Sequence, residues 1–273
     1  MYARTIALAN QKGGVAKTTT TINLGVGLAQ EGFKVLVADC DPQASLTNAL
    51  GIRNPDKLTN TLSEAMMAEM NDGAIPEEYG ICQHEEGIDL FPANITLSGV
   101  ELNLFNTMSR EVILRNVLEK VRNRYDYILL DCMPSLSLMT INALAAADRV
   151  IIPSQPDYLA SKGLNLLLGS TAKIRRQINP KLRIDGILFT MVDRRTNNAK
   201  DIIASLRSAV GGSIRVFETE IPRSVRAAEA SQAGQSIFAY DRYGKVAEAY
   251  ADLTEEVMYL DREVYRSRDD GAR

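Results

Sequence analysis

Apolar residues gather in short runs along the chain. Thr5–Ala9, Lys34–Asp39, Tyr127–Asp131, Arg149–Pro153, Ile184–Thr190 and Ile214–Ile221 are rich in Val, Ile and Leu and apolar nearly throughout. Runs without polar alternation predict strands buried on both faces of a parallel sheet. Helical stretches lie between them: Lys17–Gln30, Ser135–Ala146, Leu159–Ile178, Asn197–Val210 and Val225–Ala233. The β-α-β-α alternation predicts an α/β fold, doubly wound, with a mostly parallel sheet and helices on both faces. From Leu50 to Arg124 the pattern is less regular. Thr59–Met70 and Glu111–Arg124 read as helices, and Asp72–Gly87, with its Pro, Gly and acidic residues, reads as a surface excursion. Gly244 to Arg268 reads as one long helix, ending in a polar tail at about 267–273. With no repeat, low-complexity tract or linker, residues 1–273 read as a single domain.

The junction of the first strand and first helix carries the chemistry. Lys12-Gly13-Gly14-Val15-Ala16-Lys17-Thr18-Thr19 connects them. Backbone N–H groups in a strand–loop–helix junction point at a polyphosphate, and Gly13 and Gly14 let the backbone approach it. Lys17 is placed to reach β- and γ-phosphates, the Thr18 hydroxyl to ligate Mg²⁺, and Thr19 to bond an α-phosphate oxygen. The string departs from G-x-x-x-x-G-K-[ST], because Gln11 and Ala16 fill the glycine positions, and it adds Lys12. The second strand ends at Asp39-Cys40-Asp41-Pro42-Gln43 and the third at Asp131-Cys132-Met133-Pro134-Ser135. Ligands of open α/β sheets bind beyond the carboxyl ends of the strands, which puts Asp41 and Asp131 on the edge that holds the phosphate loop. An acidic residue closing a hydrophobic strand is the Walker B arrangement, whose carboxylate holds Mg²⁺, usually through water. A second carboxylate can orient or deprotonate the attacking water. The chain thus reads as a P-loop protein that uses ATP and Mg²⁺.

Composition narrows the class. The chain has 273 residues, 45% hydrophobic and 24% charged, ordinary for a soluble globular protein. No apolar run approaches the roughly 20 residues needed to cross a bilayer, and the N-terminal apolar run gives way at once to Asn10-Gln11-Lys12, unlike a signal peptide. A cytoplasmic location is the default. Cys40, Cys82 and Cys132 form no CxxC pair, so they read as reduced thiols, with Cys40 and Cys132, each after an Asp at a predicted strand end, expected near one another. His84, the only histidine, reads as a solvated loop residue, and Asp157-Tyr158 after Pro156 as a cap for the next helix. Net charge is −3, yet Thr171–Lys245 holds 14 Lys plus Arg against 7 Asp plus Glu. An acidic body with a basic face fits that asymmetry.

The phosphate loop, Asp39-Cys40-Asp41-Pro42-Gln43 and Asp131-Cys132-Met133-Pro134-Ser135 together resemble the ParA/Soj family of DNA-partitioning ATPases, of the deviant-Walker-A group that includes MinD. Thr190-Met191-Val192-Asp193-Arg194-Arg195-Thr196-Asn197 resembles the family's T-M-x-D-x-R-T-N stretch, and Ile221-Pro222-Arg223-Ser224-Val225-Arg226 with Glu229-Ala230 its I-P-R-x-x-R…E-A stretch. The resemblance implies that Lys12 crosses a dimer interface to the partner's phosphates, that Asp41 orients water, and that Asp131 is the magnesium-side carboxylate. It further implies that Pro222 lies beside the nucleotide, and that Arg195, Arg226 and Arg223 contact non-specific double-stranded DNA. A homodimer formed on ATP binding, slow hydrolysis stimulated by a ParB-like centromere-binding protein, and residence on the nucleoid complete the implied picture. Ala16 for the commoner Gly and Met133 for the first Pro of D-x-P-P depart from the family pattern and bear on turnover rate. The chain opens directly on the ATPase core, as in the short, Soj-like form without a helix-turn-helix domain.

Two relatives of the phosphate loop compete. A MinD-like membrane-cycling ATPase would end in a basic amphipathic helix, whereas Glu255-Glu256-Val257-Met258-Tyr259-Leu260-Asp261-Arg262-Glu263 is acidic, so no membrane is expected as a partner. An iron–sulfur reductase would use interface cysteines, and Cys40 and Cys132 read better as buried neighbours.

Overall fold

The computed structural model describes residues 3–74, 79–157, 160–193, 197–210, 212 and 214–270. An eight-stranded sheet runs through the molecule in the order β3-β4-β2-β5-β1-β6-β7-β8. The strands are β1 (Arg4–Leu8), β2 (Val35–Cys40), β3 (Cys82–Gln83), β4 (Ile88–Phe91), β5 (Tyr127–Cys132), β6 (Arg149–Ser154), β7 (Arg183–Val192) and β8 (Val216–Pro222). All pair in parallel except β3, which joins β4 antiparallel at the edge. This is the α/β, doubly wound architecture predicted above.

Strand burial explains the continuous apolar runs. Along β1, Ile6 and Leu8 pack into one core while Ala7 enters the other, so successive residues are apolar on both faces. One face is covered by α1 (Lys17–Gln30), α2 (Ser45–Ala49), α9 (Val225–Ala233), α10 (Ile237–Tyr240) and α11 (Lys245–Asp270). The opposite face is covered by α3 (Leu62–Met70), α4 (Leu97–Leu104), α5 (Ile113–Glu119), α6 (Leu138–Ala146), α7 (Ala160–Gln177) and α8 (Asn197–Val210). Contact between α1 and α11 is close enough to demand glycine: a Cβ on Gly27 would lie 2.3 Å from Thr254 Oγ1. Among the described residues no helix is long and apolar enough to cross a membrane.

The irregular stretch from Leu50 to Arg124 differs most from expectation. Ile88–Phe91, unassigned by pattern, is a parallel strand beside β2, and Cys82–Gln83 inside the predicted excursion pairs with it. The expected helix Glu111–Arg124 covers only Ile113–Glu119, followed by a 3-10 turn at Arg122–Arg124. The helix expected from Ser135 begins at Leu138, where Glu101 Oε1 accepts the Leu138 N–H at 3.0 Å. Helices α2, α4 and α10 had no clear apolar stripe to announce them. Helix α11 continues to Asp270, and 271–273 lie outside the described residues.

A buried ion cluster ties α11 to the amino-end edge of the sheet. Arg149 meets Asp261 at 2.6 Å and Asp185 at 3.3 Å, and Asp261 also accepts from the Tyr127 hydroxyl. Removing either partner from such a cluster leaves an uncompensated charge, which is why it locks the helix in place.

Candidate functional site

The carboxyl ends of β1, β2, β5, β6 and β7 converge on the loop between β1 and α1. Four contacts pin that loop. Asn10 donates to Pro153 O at 2.7 Å and its Oδ1 accepts the Lys12 N–H at 3.0 Å. Gln155 Nε2 donates to Gly14 O at 2.7 Å, and the Thr190 hydroxyl donates to Val15 O at 3.0 Å. Gly14 has φ 69°, and the space where its Cβ would stand holds nothing within 4 Å. A Cβ on Gly13 would meet only Pro134 Cβ, at 3.9 Å. Backbone amides in such an open cradle are available to an anion. Ala16 precedes α1 in a left-handed conformation and supplies no side-chain cap, so the first-turn N–H groups of α1 are left for a ligand.

Behind the loop, charge is poorly compensated. Lys17 is 8% exposed, and its ammonium donates to Lys12 O at 3.3 Å. Burial lowers its pKa more than the nearby Asp131 and Asp41 raise it. Asp131 is 1% exposed; one oxygen accepts the Thr18 hydroxyl at 2.6 Å, and the other is buried without a donor. Burial, then the charge of Asp39, raises its pKa, with Thr18 and Lys17 opposing. Each group would be relieved by an added opposite charge: an anion for Lys17, a cation for Asp131.

That is the test for a magnesium–nucleotide site, and the residues pass it. Thr18 and Asp131 offer hard oxygen ligands side by side, one of them unpartnered. Among the described residues no cluster of three or more His, Cys, Asp or Glu side chains is arranged to hold a metal by protein alone. Mg²⁺ suits such a site because it is usually held by one or two protein oxygens plus phosphates and water.

The two carboxylates at the end of β2 differ sharply. Asp39 is fully buried, stands opposite Asp131 across the β2–β5 pairing, and is committed to structure. Its Oδ2 accepts from Thr47 N and Thr47 Oγ1, both at 2.8 Å, and its Oδ1 accepts from Asp41 N at 3.2 Å. Burial, only partly offset by those donors, pushes its pKa up to about 6. Asp41 is half-buried, and its carboxylate accepts only the Gln43 N–H, at 2.9 Å, among the bonds described. It therefore caps no helix and is free to serve chemistry. Cys40 and Cys132 face each other in register, both buried, as their strand-end positions suggest.

The remaining predicted positions are scattered along the same edge. Pro222 closes β8 next to Val192 of β7, and the Arg223 N–H donates to Val192 O at 3.1 Å. Arg223 and Arg226 are exposed, Arg226 beside Glu229 at 3.2 Å on α9. Arg195 lies outside the described residues.

Asp157-Tyr158 reads as a cap for the following helix; Tyr158 lies outside the described residues, and the Asp157 carboxylate pairs with the Lys12 ammonium. Residues that pattern reading missed are those that hold the loop from outside: Asn10, Gln155, Asp157 and Thr190. Their position at or just past the carboxyl ends of β1, β6 and β7 was the available signal. Strain marks the same edge: Ala16, Ala44 and Met191 are non-glycine residues with φ of 58°, 51° and 53°.

Comparison with known proteins agrees with this geometry. Residues 3–184 match the model of a family described as AAA domain. The chain is 43% identical over 252 residues to the sporulation initiation inhibitor protein Soj of Bacillus subtilis, covering 92% of this chain and 97% of that protein. It is 40% identical over 264 residues to the chromosome partitioning protein ParA of Caulobacter vibrioides, covering 95% and 96%. Among solved structures, cobyrinic acid a,c-diamide synthase from Mycobacterium smegmatis with bound ATP analog and magnesium superposes with a TM-score of 0.81 at 34% identity, covering 94% of each chain. The septum site-determining protein MinD of Pyrococcus horikoshii, complexed with Mg-ADP, gives a TM-score of 0.72 at 24% identity over 95% of this chain and 97% of that one, a likeness of fold.

Proposed function

The chain belongs to the ParA/Soj family of partitioning ATPases, and on that premise we propose that it is a DNA-segregation switch driven by binding and hydrolysis of Mg-ATP. The observation that carries the reading is the Thr18–Asp131 pair at the mouth of an open phosphate loop, with Lys17 buried behind it and Asp41 free beside it. Backbone amides of Gly13 to Lys17 cradle the phosphates, and Lys17 neutralises the β- and γ-phosphates. Thr18 and Asp131 hold Mg²⁺, Asp131 through water, and Thr19 reaches an α-phosphate oxygen. Bound Mg²⁺ supplies the charge that stabilises phosphoryl transfer. Asp41 orients the attacking water, and Pro222 packs beside the nucleotide. Lys12 extends to the nucleotide of a second subunit, so that ATP is sandwiched in a homodimer.

In this reading the dimer presents Arg195, Arg223 and Arg226 of both subunits to non-specific double-stranded DNA on the nucleoid of the cytoplasm. A ParB-like partner stimulates a slow hydrolysis, which releases the DNA. The amide-forming reaction named for the Mycobacterium smegmatis structure belongs to that protein; the partition reading rests on the higher identity to Soj and ParA, since one fold hosts several chemistries.

The test is binding of random-sequence duplexes in the nucleotide-free, ADP and Mg-ATPγS states at several salt concentrations. Tight, sequence-indifferent binding confined to the triphosphate state is expected, because phosphate contacts release counterions and carry no base information. Arg226→Ala should flatten the salt slope by about one unit per subunit, about two for the dimer. Equal affinity in all three states, or a preference for one short sequence, would overturn the reading in favour of a plain DNA-binding regulator.

A further inference from the structure

The loop between β5 and α6, Met133–Ser137, begins directly after Asp131-Cys132 and lies against the phosphate loop, where Pro134 Cβ is the atom that a Cβ on Gly13 would meet. Its own sequence fixes little of its path. Pro134 sets φ at one position, whereas Met133 leaves it free. Local bonds fold the loop onto itself and onto α6. The Ser135 N–H donates to Met133 O at 2.9 Å, the Thr140 hydroxyl donates to Ser135 O at 2.7 Å, and the Ser137 hydroxyl meets the Met133 sulfur at 3.0 Å. Ser137 stands at the N-cap of α6, yet turned towards Met133 it accepts no helix N–H.

Glu101 does so in its place. From α4, its Oε1 accepts the N–H of Leu138, the first residue of α6, at 3.0 Å. The carboxylate is half-buried, and a helix N-terminus favours negative charge through its unpaired N–H groups and its dipole. Further along α6, Asn142 makes a second tie to the same part of the chain. Its Nδ2 donates to Arg110 O at 2.7 Å and its Oδ1 accepts the Leu114 N–H at 3.1 Å. Of these two ties, Glu101 is the one at the loop end. We propose that Glu101 is a positioning residue for the hydrolysis described above: by holding the start of α6 from α4, it fixes the Met133–Ser137 loop against the phosphate loop, and with it the Asp131 oxygen that has no donor. The proposal rests on the Mg-ATP reading of this site. Nucleotide capture belongs to the phosphate loop and Lys17, which Glu101 does not touch. Phosphoryl transfer depends on how accurately groups are placed around the phosphates, so loss of the tie falls on kcat rather than KM.

Loss of a helix cap shifts a local equilibrium by about twofold to 30-fold. Glu101→Ala, and Glu101→Asp with its carboxylate one methylene short, should lower kcat by about threefold to 30-fold with KM for Mg-ATP changed less than about twofold. Phosphate release on the full chain reads both. Glu101→Gln keeps an acceptor at the same reach and should recover most of the rate. A residue that merely stabilised α6 would lower Tm and leave kcat of the folded chain as it was. A parental kcat in Glu101→Ala therefore overturns the proposal, and so does a Glu101→Gln variant as slow as Glu101→Ala. Hydrogen exchange of the nucleotide-free chain, read by mass spectrometry on fragments spanning 133–138, tests the tie without chemistry. In Glu101→Ala the Met133, Ser135 and Leu136 amides should exchange several-fold faster. Faster exchange at Leu138 alone would overturn the positioning role and leave a helix cap. A parental chain that hydrolyses no Mg-ATP, with the loop amides responding as expected, would overturn the ATPase reading and leave the tie standing.

Discussion

Asp39 and Asp41 stand two residues apart at the end of one strand, and replacing each by Ala should give opposite phenotypes. Asp41→Ala removes a half-buried carboxylate that accepts one turn bond, from Gln43 N. Its structural cost should stay within about 1 kcal/mol, while loss of a water-orienting group should slow hydrolysis by about 10² to 10⁴. At about 1.4 kcal/mol per tenfold, that is about 3 to 5 kcal/mol of barrier. Asp39→Ala deletes the acceptor of three donors, Thr47 N, Thr47 Oγ1 and Asp41 N, inside a fully buried site. Orphaned buried donors cost about 1 to 3 kcal/mol each. Against this, the variant is relieved of a carboxylate whose burial already pushes its pKa up to about 6. A net loss of about 3 kcal/mol follows, or about 6 to 12 °C in Tm for a chain of this size. Thermal melting and phosphate release with saturating Mg-ATP and DNA, run on both variants, decide the matter. Asp41→Ala should melt like the parental chain and accumulate as the ATP-bound dimer. If it turns over ATP at the parental rate, or if Asp39→Ala melts unchanged, the division of labour between the two carboxylates is wrong.

Other perturbations separate binding from assembly and packing from charge. Lys17→Ala should abolish tight ATP binding, measured by titration calorimetry, whereas Lys12→Ala should bind ATP and sediment as a monomer; a normal ATP dimer in the Lys12 variant would refute the cross-subunit role. Gly27→Ala drives a methyl into Thr254 Oγ1 and should cost about 1 to 3 kcal/mol by overpacking, with Thr254→Ala recovering part of the lost Tm. Burial, against the opposing charge of Arg149, pushes the Asp185 pKa up to about 6, above its unfolded value near 3.9. The folded chain therefore holds this proton more tightly. Its stabilising contribution is full below about pH 4 and is lost as pH rises through about 6, a change of up to about 3 kcal/mol. Asp185→Asn should flatten that decline in a pH series of melting curves, and an unaltered series would refute the assignment.

Much of the layout was legible because parallel strands buried on both faces leave unbroken apolar runs. Helices α1, α8 and α9 span the stretches the pattern marks, and the strand runs around β1, β2, β5, β6, β7 and β8 fall within about two residues of their ends. Strand β4 escaped because its four residues, Ile-Asp-Leu-Phe, put a carboxylate in the middle. Only the folded chain supplies the Tyr125 hydroxyl that donates to Asp89 at 2.8 Å. Helix α4 escaped because its apolar residues point both ways: Leu97, Val100 and Leu104 are buried while Leu102 is 70% exposed. Local pattern carries no information about which partner a residue will meet.

The same distinction runs through the site. Lys17 and Thr18 at a strand–loop–helix junction and Asp131 at a strand end were legible as neighbours from residue type and position, and the fold brings them together. Asp41 was preferred to Asp39 in the sequence, but what commits Asp39 to structure, its two bonds from Thr47 of α2, was not readable there. Lys12 was legible as a cation but not as a paired one, because Asp157 arrives from 145 positions further along the chain. The departure at Ala16 follows from this dependence on distant contacts. A glycine there would adopt the left-handed backbone at no steric cost, whereas Ala16 holds φ 58° against a strain of about 1 to 2 kcal/mol. The neighbouring bonds, Thr190 to Val15 O and Gln155 to Gly14 O, are what hold it there. The loop thus keeps its phosphate-binding shape through contacts with β6 and β7 rather than through its own residue preferences. For that reason a search on glycine spacing alone passes over it.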